Sequence, residues 1–211
     1  MTLPLLDTDT LRQLGAHAPA APCPACTPLR CPGWESLSGA SDASHLQPVG
    51  TLRDEAVVVG AGDERLAVLG LDWIDPRRGP SYLYYDEPRT AAALARMNAS
   101  LDSVGRHDSA APLPRVLLAH HPETFTQAQP RGIGLTRAGH THGGGQIVLG
   151  HVDGQPIGVS ALRFHYRSGL YQKDGLSLYV NRGLGYMGLP IRINCPSEIS
   201  QFRLTRGAGL A

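Results

Sequence analysis

The sequence predicts an α/β layered fold on three observations. Apolar runs of strand length recur at 56–59, 66–69, 115–119 and 134–138. A segment with Ala, Leu and Met at helical spacing, 87–101, lies between the second and third of these runs. After the fourth run come strands without long helices, at 169–172, 176–180 and 199–204. Strands alternating with helices, followed by strands alone, is the pattern of layered α/β architecture.

Residues 1–50 stand apart from this pattern. A short helix is expected at 8–14, capped by Thr8 or Asp9. Next comes a stretch, 16–32, with five prolines in 17 residues, and then a Ser/Gly/Asp-rich stretch without a core-forming period. Cys23 and Cys26 have the spacing of half a zinc knuckle or of a redox pair, and only Cys31 and His17 are near enough to complete four ligands. A disordered, proline-rich stretch with incidental cysteines accounts for the same residues. The remaining cysteine, Cys195, reads as a small packed residue.

The regular pattern begins at Thr51. Two short strands, 56–59 and 66–69, are joined by the polar turn 60–64. Asp86 is placed to cap the helix 87–101. The run 115–119 is a buried strand, and Pro122 suits the first turn of the short helical segment 123–128. The strand 134–138 follows, and 146–149 leads outward from it. The last three strands are expected to be antiparallel, and 207–211 is a tail.

Composition bounds the function classes. At 211 residues the chain is a single domain, long enough to bury a core. Net charge is +1, with no basic run and no interleaving of basic and aromatic residues, so nothing signals a nucleic-acid partner. No apolar stretch reaches the roughly 18 residues of a transmembrane segment. The first seven residues have neither the positive start nor the apolar core of a signal peptide. The expected location is cytoplasmic, or membrane-associated if the natural start lies further upstream.

Four of the nine histidines fall within 23 residues: His120, His121, His140 and His142. The buried run 116–119 delivers His120 to the carboxyl edge of a sheet, where α/β proteins bind ligands. Gly139-His140-Thr141-His142-Gly143-Gly144 places two imidazoles two residues apart, with glycines that let the backbone pass close to a metal cluster. A lone histidine at a strand end is more often a hydrogen-bonded loop residue, and it is the grouping that favours ligation. His121 follows a candidate ligand on an alternating strand, so it should lie behind the site or in solvent. His17, His45, His107, His151 and His165 have no supporting pattern and read as surface residues.

Asn181 and Arg182 lie in a loop after a strand. A guanidinium matches the geometry of a phosphate, and the same residues can equally close a turn with the arginine in solvent. Tyr82, Leu83, Tyr84 and Tyr85 can line an apolar groove for an acyl chain or a base, or form an edge strand packed on the core.

One ordered set of motifs runs through 51–204. It comprises Leu69-Gly70-Leu71-Asp72, Leu117-Leu118-Ala119-His120-His121-Pro122-Glu123, the Gly-His-Thr-His-Gly-Gly turn, Ser168-Gly169-Leu170-Tyr171, Tyr179-Val180-Asn181-Arg182-Gly183, Gly188-Leu189-Pro190-Ile191-Arg192 and Cys195-Pro196-Ser197-Glu198-Ile199. The set resembles the calcineurin-like metallophosphoesterases, in their bacterial phosphodiesterase branch. The resemblance implies part of a four-layer αββα sandwich, supplying the second sheet and its helices. It implies two divalent metal ions, Mn, Fe, Zn or Ni, in a complete site. His120 and His140 resemble ligands of one ion, His142 a ligand of the other, and the Asn181–Arg182 loop lies near such a site. The implied substrate is a small phosphodiester or pyrophosphate, lipid- or nucleotide-linked.

The family's earlier motifs, Asp-x-His, Gly-Asp and Gly-Asn-His-Asp/Glu, have no counterpart in the expected places. Asp7-Thr8-Asp9 lacks the histidine, and Gly62-Asp63 reads as a surface turn. Gly105-Arg106-His107-Asp108 comes too late in the chain and reads as a polar loop. The expectation is therefore an incomplete copy: a carboxyl-terminal half-domain at 51–206, with 1–50 irregular or mis-translated and no catalytic residue identified. Under this expectation one face of the sheet lacks its packing partner. A metal-binding or interaction module without enzymatic activity is the alternative.

Overall fold

The computed structural model describes residues 52–72, 85–105, 113–186 and 190–205. The expected helix at 8–14, Cys23, Cys26, Cys31, Tyr82 to Tyr84, His17, His45, His107 and the tail lie outside these residues.

Six strands form one mixed sheet. They are β1 (Glu55–Val59), β2 (Leu66–Gly70), β3 (Arg115–Leu118), β4 (Leu135–Ala138), β7 (Gly169–Lys173) and β8 (Leu176–Val180). Their order is β1-β2-β3-β4-β8-β7. The four inner strands run parallel, and β1 and β7 close the edges antiparallel. A separate hairpin pairs β5 (Val148–Val152) with β6 (Gln155–Gly158). The helices are α1 (Glu87–Gly105) and two single turns, α2 (Phe125–Ala128) and α3 (His142–Gly145). This is an α/β fold, as expected.

Strand alternation divides the sheet into two faces. On the first, Ala67, Leu69, Leu117 and Ala119 pack against Ala93, Leu94, Met97 and Leu101 of α1. Asp86 caps α1 by accepting a 3.0 Å hydrogen bond from the Arg89 backbone. On the second face, Val59, Val68, Val116 and Leu118 gather with Val57, Leu66, Leu135 and Leu204.

Two expectations need correction. The segment 199–204 is not a strand, because β8 already has β4 and β7 as neighbours and offers no free ladder edge. The segment instead packs side chains on the second face. Phe202 meets Tyr179 edge-on at 5.1 Å, the Arg137 guanidinium lies 4.2 Å over the Phe202 ring, and Leu204 joins the valine cluster. Strand β8 is also antiparallel to β7 alone, and parallel to β4. The β5–β6 hairpin was not expected. Its two-residue turn, Asp153 (φ 50) and Gly154 (φ 75), has the paired positive φ of a hairpin turn, as do Asp174 (φ 52) and Gly175 (φ 75) between β7 and β8.

Candidate metal centre

Adjacent parallel strands β3 and β4 end together and deliver histidines to one edge. The His120 carbonyl accepts a 3.1 Å bond from the Gly139 backbone, which locks the two strand ends in register. His140 then turns into left-handed backbone at φ 70, and His142 does so at φ 49. Such conformations are uncommon outside glycine and gather at functional sites.

The result is a cluster of rings. His120 Nε2 and His140 Nδ1 face one another at 2.9 Å. His121, 4 % exposed, lies with its ring centroid 4.8 Å from that of His140. It is therefore not in solvent, one of the two places expected for it. The peptide turns at the end of β3, so His120 and His121 both reach His140. Tyr85 stacks on His121 at 5.2 Å, and Phe164 sits edge-on to both His121 and His140, at 5.3 and 5.1 Å. Tyr85 thus packs on the histidine cluster.

Burial sets the protonation states. It drives His121 down to about 3, helped by the charges of His140 and Arg163. It drives His140 down to about 4, helped by His142 and Arg163. His142 is lowered too, by burial and then by Arg192, against a backbone hydrogen bond at Gly185. At neutral pH these three rings are uncharged, which is the form that binds metal. Burial also pushes the Tyr85 phenol up to about 12.

The donor set fits a metal in part. Two nitrogens of His120 and His140 already face each other, and His142 Nδ1 is buried without a hydrogen-bond partner. Among the described residues, however, no group of three or more His, Cys, Asp or Glu side chains converges on a point that could hold an ion.

Asn181 and Arg182 follow β8, beside the histidine turn. Arg182 directs Nε to Glu198 at 2.7 Å, and its stem packs over Gly143. Asn181 donates to Ser200 at 2.8 Å and accepts from the Gly183 backbone at 2.6 Å. Both residues are thus engaged within the protein. Burial alone would raise the Glu198 carboxyl, but hydrogen bonds from Ser200, Tyr179 and Arg182 outweigh it and hold it at about 2. Buried Cys195 packs its Sγ 3.1 Å from the His142 carbonyl, consistent with a small packed residue. One residue that sequence reasoning missed is Phe164, which joins the rings from a loop without any periodic signal.

Comparison with known proteins gives a consistent set of relatives. The chain is 38% identical over 92 residues to the metallophosphoesterase YkuE of Bacillus subtilis, covering 42% of this chain and 30% of that protein. It is 30% identical over 125 residues to the phosphodiesterase YaeI of Escherichia coli, covering 54% of this chain and 45% of that one. A third relative, the bovine transmembrane protein with metallophosphoesterase domain, is 38% identical over 96 residues, 43% of this chain and 20% of its own length. The chain thus spans less than half the length of each of these relatives. No protein-family model matches it, and no solved structure does. Among the described residues, no helix is long and apolar enough to cross a membrane.

Proposed function

Since the chain is related to the calcineurin-like metallophosphoesterases, we propose that its histidine cluster is part of a metal-dependent site for phosphodiester or pyrophosphate hydrolysis. The observation that carries this reading is the facing pair His120 Nε2 and His140 Nδ1, 2.9 Å apart at a sheet edge. These two rings would hold one ion, and His142 Nδ1, buried and unpartnered, would reach a second. A bound divalent ion supplies polarisation of a phosphoryl oxygen and a water acidic enough to act as nucleophile.

The chain's own residues prepare the site for that chemistry. Burial keeps the His140 and His142 imidazoles neutral, so no proton competes for their donor nitrogens. Phe164 and Tyr85 pack their rings against the histidines and hold them in place. Arg182, with Nε committed to Glu198, keeps its other guanidinium N–H groups as donors for a phosphoryl oxygen, and Asn181 lies beside it. The substrate in this reading is a small lipid- or nucleotide-linked phosphoester, and the metal is Mn, Fe, Zn or Ni.

In this reading the site is an incomplete dinuclear one: among the described residues, no carboxylate joins the histidines in a group that could hold an ion. A second reading is a metal-binding module without turnover, supported by the facing His120–His140 nitrogens alone. Both are tested together. The purified chain is assayed on bis-p-nitrophenyl phosphate with Mn added, and titrated calorimetrically with Zn. Turnover abolished by His140→Ala supports hydrolysis. Tight binding of about one ion without turnover supports the module. No binding, or binding that survives loss of His120, His140 and His142, overturns both.

A further inference from the structure

Glu123 is absent from every role assigned so far, yet it touches both walls of the histidine cluster. It follows His121 and Pro122 in the single 3-10 turn that leaves β3. Its backbone N–H points at His121 Nδ1, 3.4 Å away. Its carboxylate reaches 42 residues along the chain. Oε1 accepts the His165 backbone N–H at 3.0 Å, and the Tyr166 backbone N–H also bonds to the carboxylate. Residue 164, immediately before, carries the ring that rests on both His121 and His140.

We infer that Glu123 is a positioning residue for the His120–His140 pair, its carboxylate acting through the 164–166 loop that carries Phe164 onto His121 and His140. This rests on the reading that His120 and His140 hold an ion. The geometry is a short relay: the carboxylate clamps the loop bearing Phe164, and the Phe164 ring rests on both His121 and His140. Without the carboxylate, two backbone N–H groups of the loop lose their acceptor. The competing anchor for that loop is Tyr166, whose ring meets Phe125 at 5.8 Å and Tyr171 at 5.0 Å. If those contacts suffice, Glu123 is dispensable.

The test uses the full chain and the variants Glu123→Ala, Glu123→Gln and Phe164→Leu. Two readouts are taken: histidine ring resonances by NMR in metal-free protein, and Zn affinity by calorimetry. Glutamine keeps an acceptor oxygen for the loop N–H groups and alanine does not. The expected result is shifted His121 and His140 resonances and about 10- to 100-fold weaker Zn binding for Glu123→Ala, the range typical of residues supporting metal ligands. Glu123→Gln should restore most of both, and Phe164→Leu should reproduce the loss. Wild-type resonances and affinity in Glu123→Ala overturn the inference. Should that variant not fold, unchanged behaviour in Phe164→Leu overturns it instead. If the parent chain binds no Zn, the metal reading fails, and the metal-free resonances still decide the positioning role.

Discussion

His120 Nε2 lies 2.9 Å from His140 Nδ1, although 20 residues separate them in the chain. Parallel pairing of β3 with β4 brings their ends to one edge, and the left-handed turn at His140 swings its ring back over the strand it neighbours. Two ring nitrogens this close share a proton or a cation. Zinc titration should therefore show each of His120→Ala and His140→Ala losing more than tenfold in affinity, on the order of 1.4 kcal/mol. His142→Ala should lose less, because its ring does not join that pair. Equal losses for all three would show that a three-histidine site forms on binding.

Ligand linkage gives an independent readout. An ion held at 100 times its dissociation constant raises stability by about 2.7 kcal/mol. Adding Zn should raise the melting temperature of the parent chain, and chelation with EDTA should reverse the rise. His120→Ala combined with His140→Ala should melt at one temperature with or without the metal.

Gly143 should resist substitution more than its neighbours in composition suggest. Its φ is 66, and an added Cβ would lie 2.5 Å from Arg182 Cγ and 2.6 Å from Cys195 Sγ. Left-handed strain of roughly 1–2 kcal/mol then adds to overpacking of about 1–3 kcal/mol. Gly154, at φ 75 with nothing within 4 Å of its Cβ, bears the strain alone. Thermal melts should show Gly143→Ala falling well below Gly154→Ala, with Zn affinity reduced only in the former.

Glu198 makes acid stability a readout of the carboxyl-terminal segment. Its folded carboxyl is held at about 2 against an ordinary value of 4.5. A depressed acid contributes stability that is fully present above 4.5 and is lost as pH falls toward 2. The parent chain should lose melting temperature between pH 5 and pH 2.5 more steeply than Glu198→Gln. Parallel curves would mean that the bonds from Ser200, Tyr179 and Arg182 do not favour the charged form.

Leu117 tests the first face of the sheet. It is fully buried in β3 between α1 and the strands. Leu117→Ala should cost about 2–5 kcal/mol in denaturant unfolding, the range for a buried leucine whose cavity cannot collapse.

Much of this architecture can be read along the chain. The strands at 55–59, 66–70, 115–118 and 135–138, the helix after Asp86 and the short turn behind Pro122 follow from apolar period, caps and proline placement, all of which act over a few residues. The hairpin β5–β6 was not expected from the sequence, although Asp153-Gly154 carries the same turn signal as Asp174-Gly175. Segment 199–204 was not legible, because its alternating pattern suits a strand and a segment lying across a sheet face equally well, and only the occupied edges of β8 decide between them.

For the site, local order along the chain was enough to single out His120, His140 and His142, because strand ends and glycine-flanked turns are local features. The company those rings keep was decided by the tertiary structure. His121 turned inward, Phe164 came to rest on two histidines, Glu123 reached His165, and Arg182 was taken up by Glu198. Each of these contacts joins residues whose separation along the chain carries no period, so only the packed sheet edge, where β3, β4 and β8 end side by side, brings them within reach.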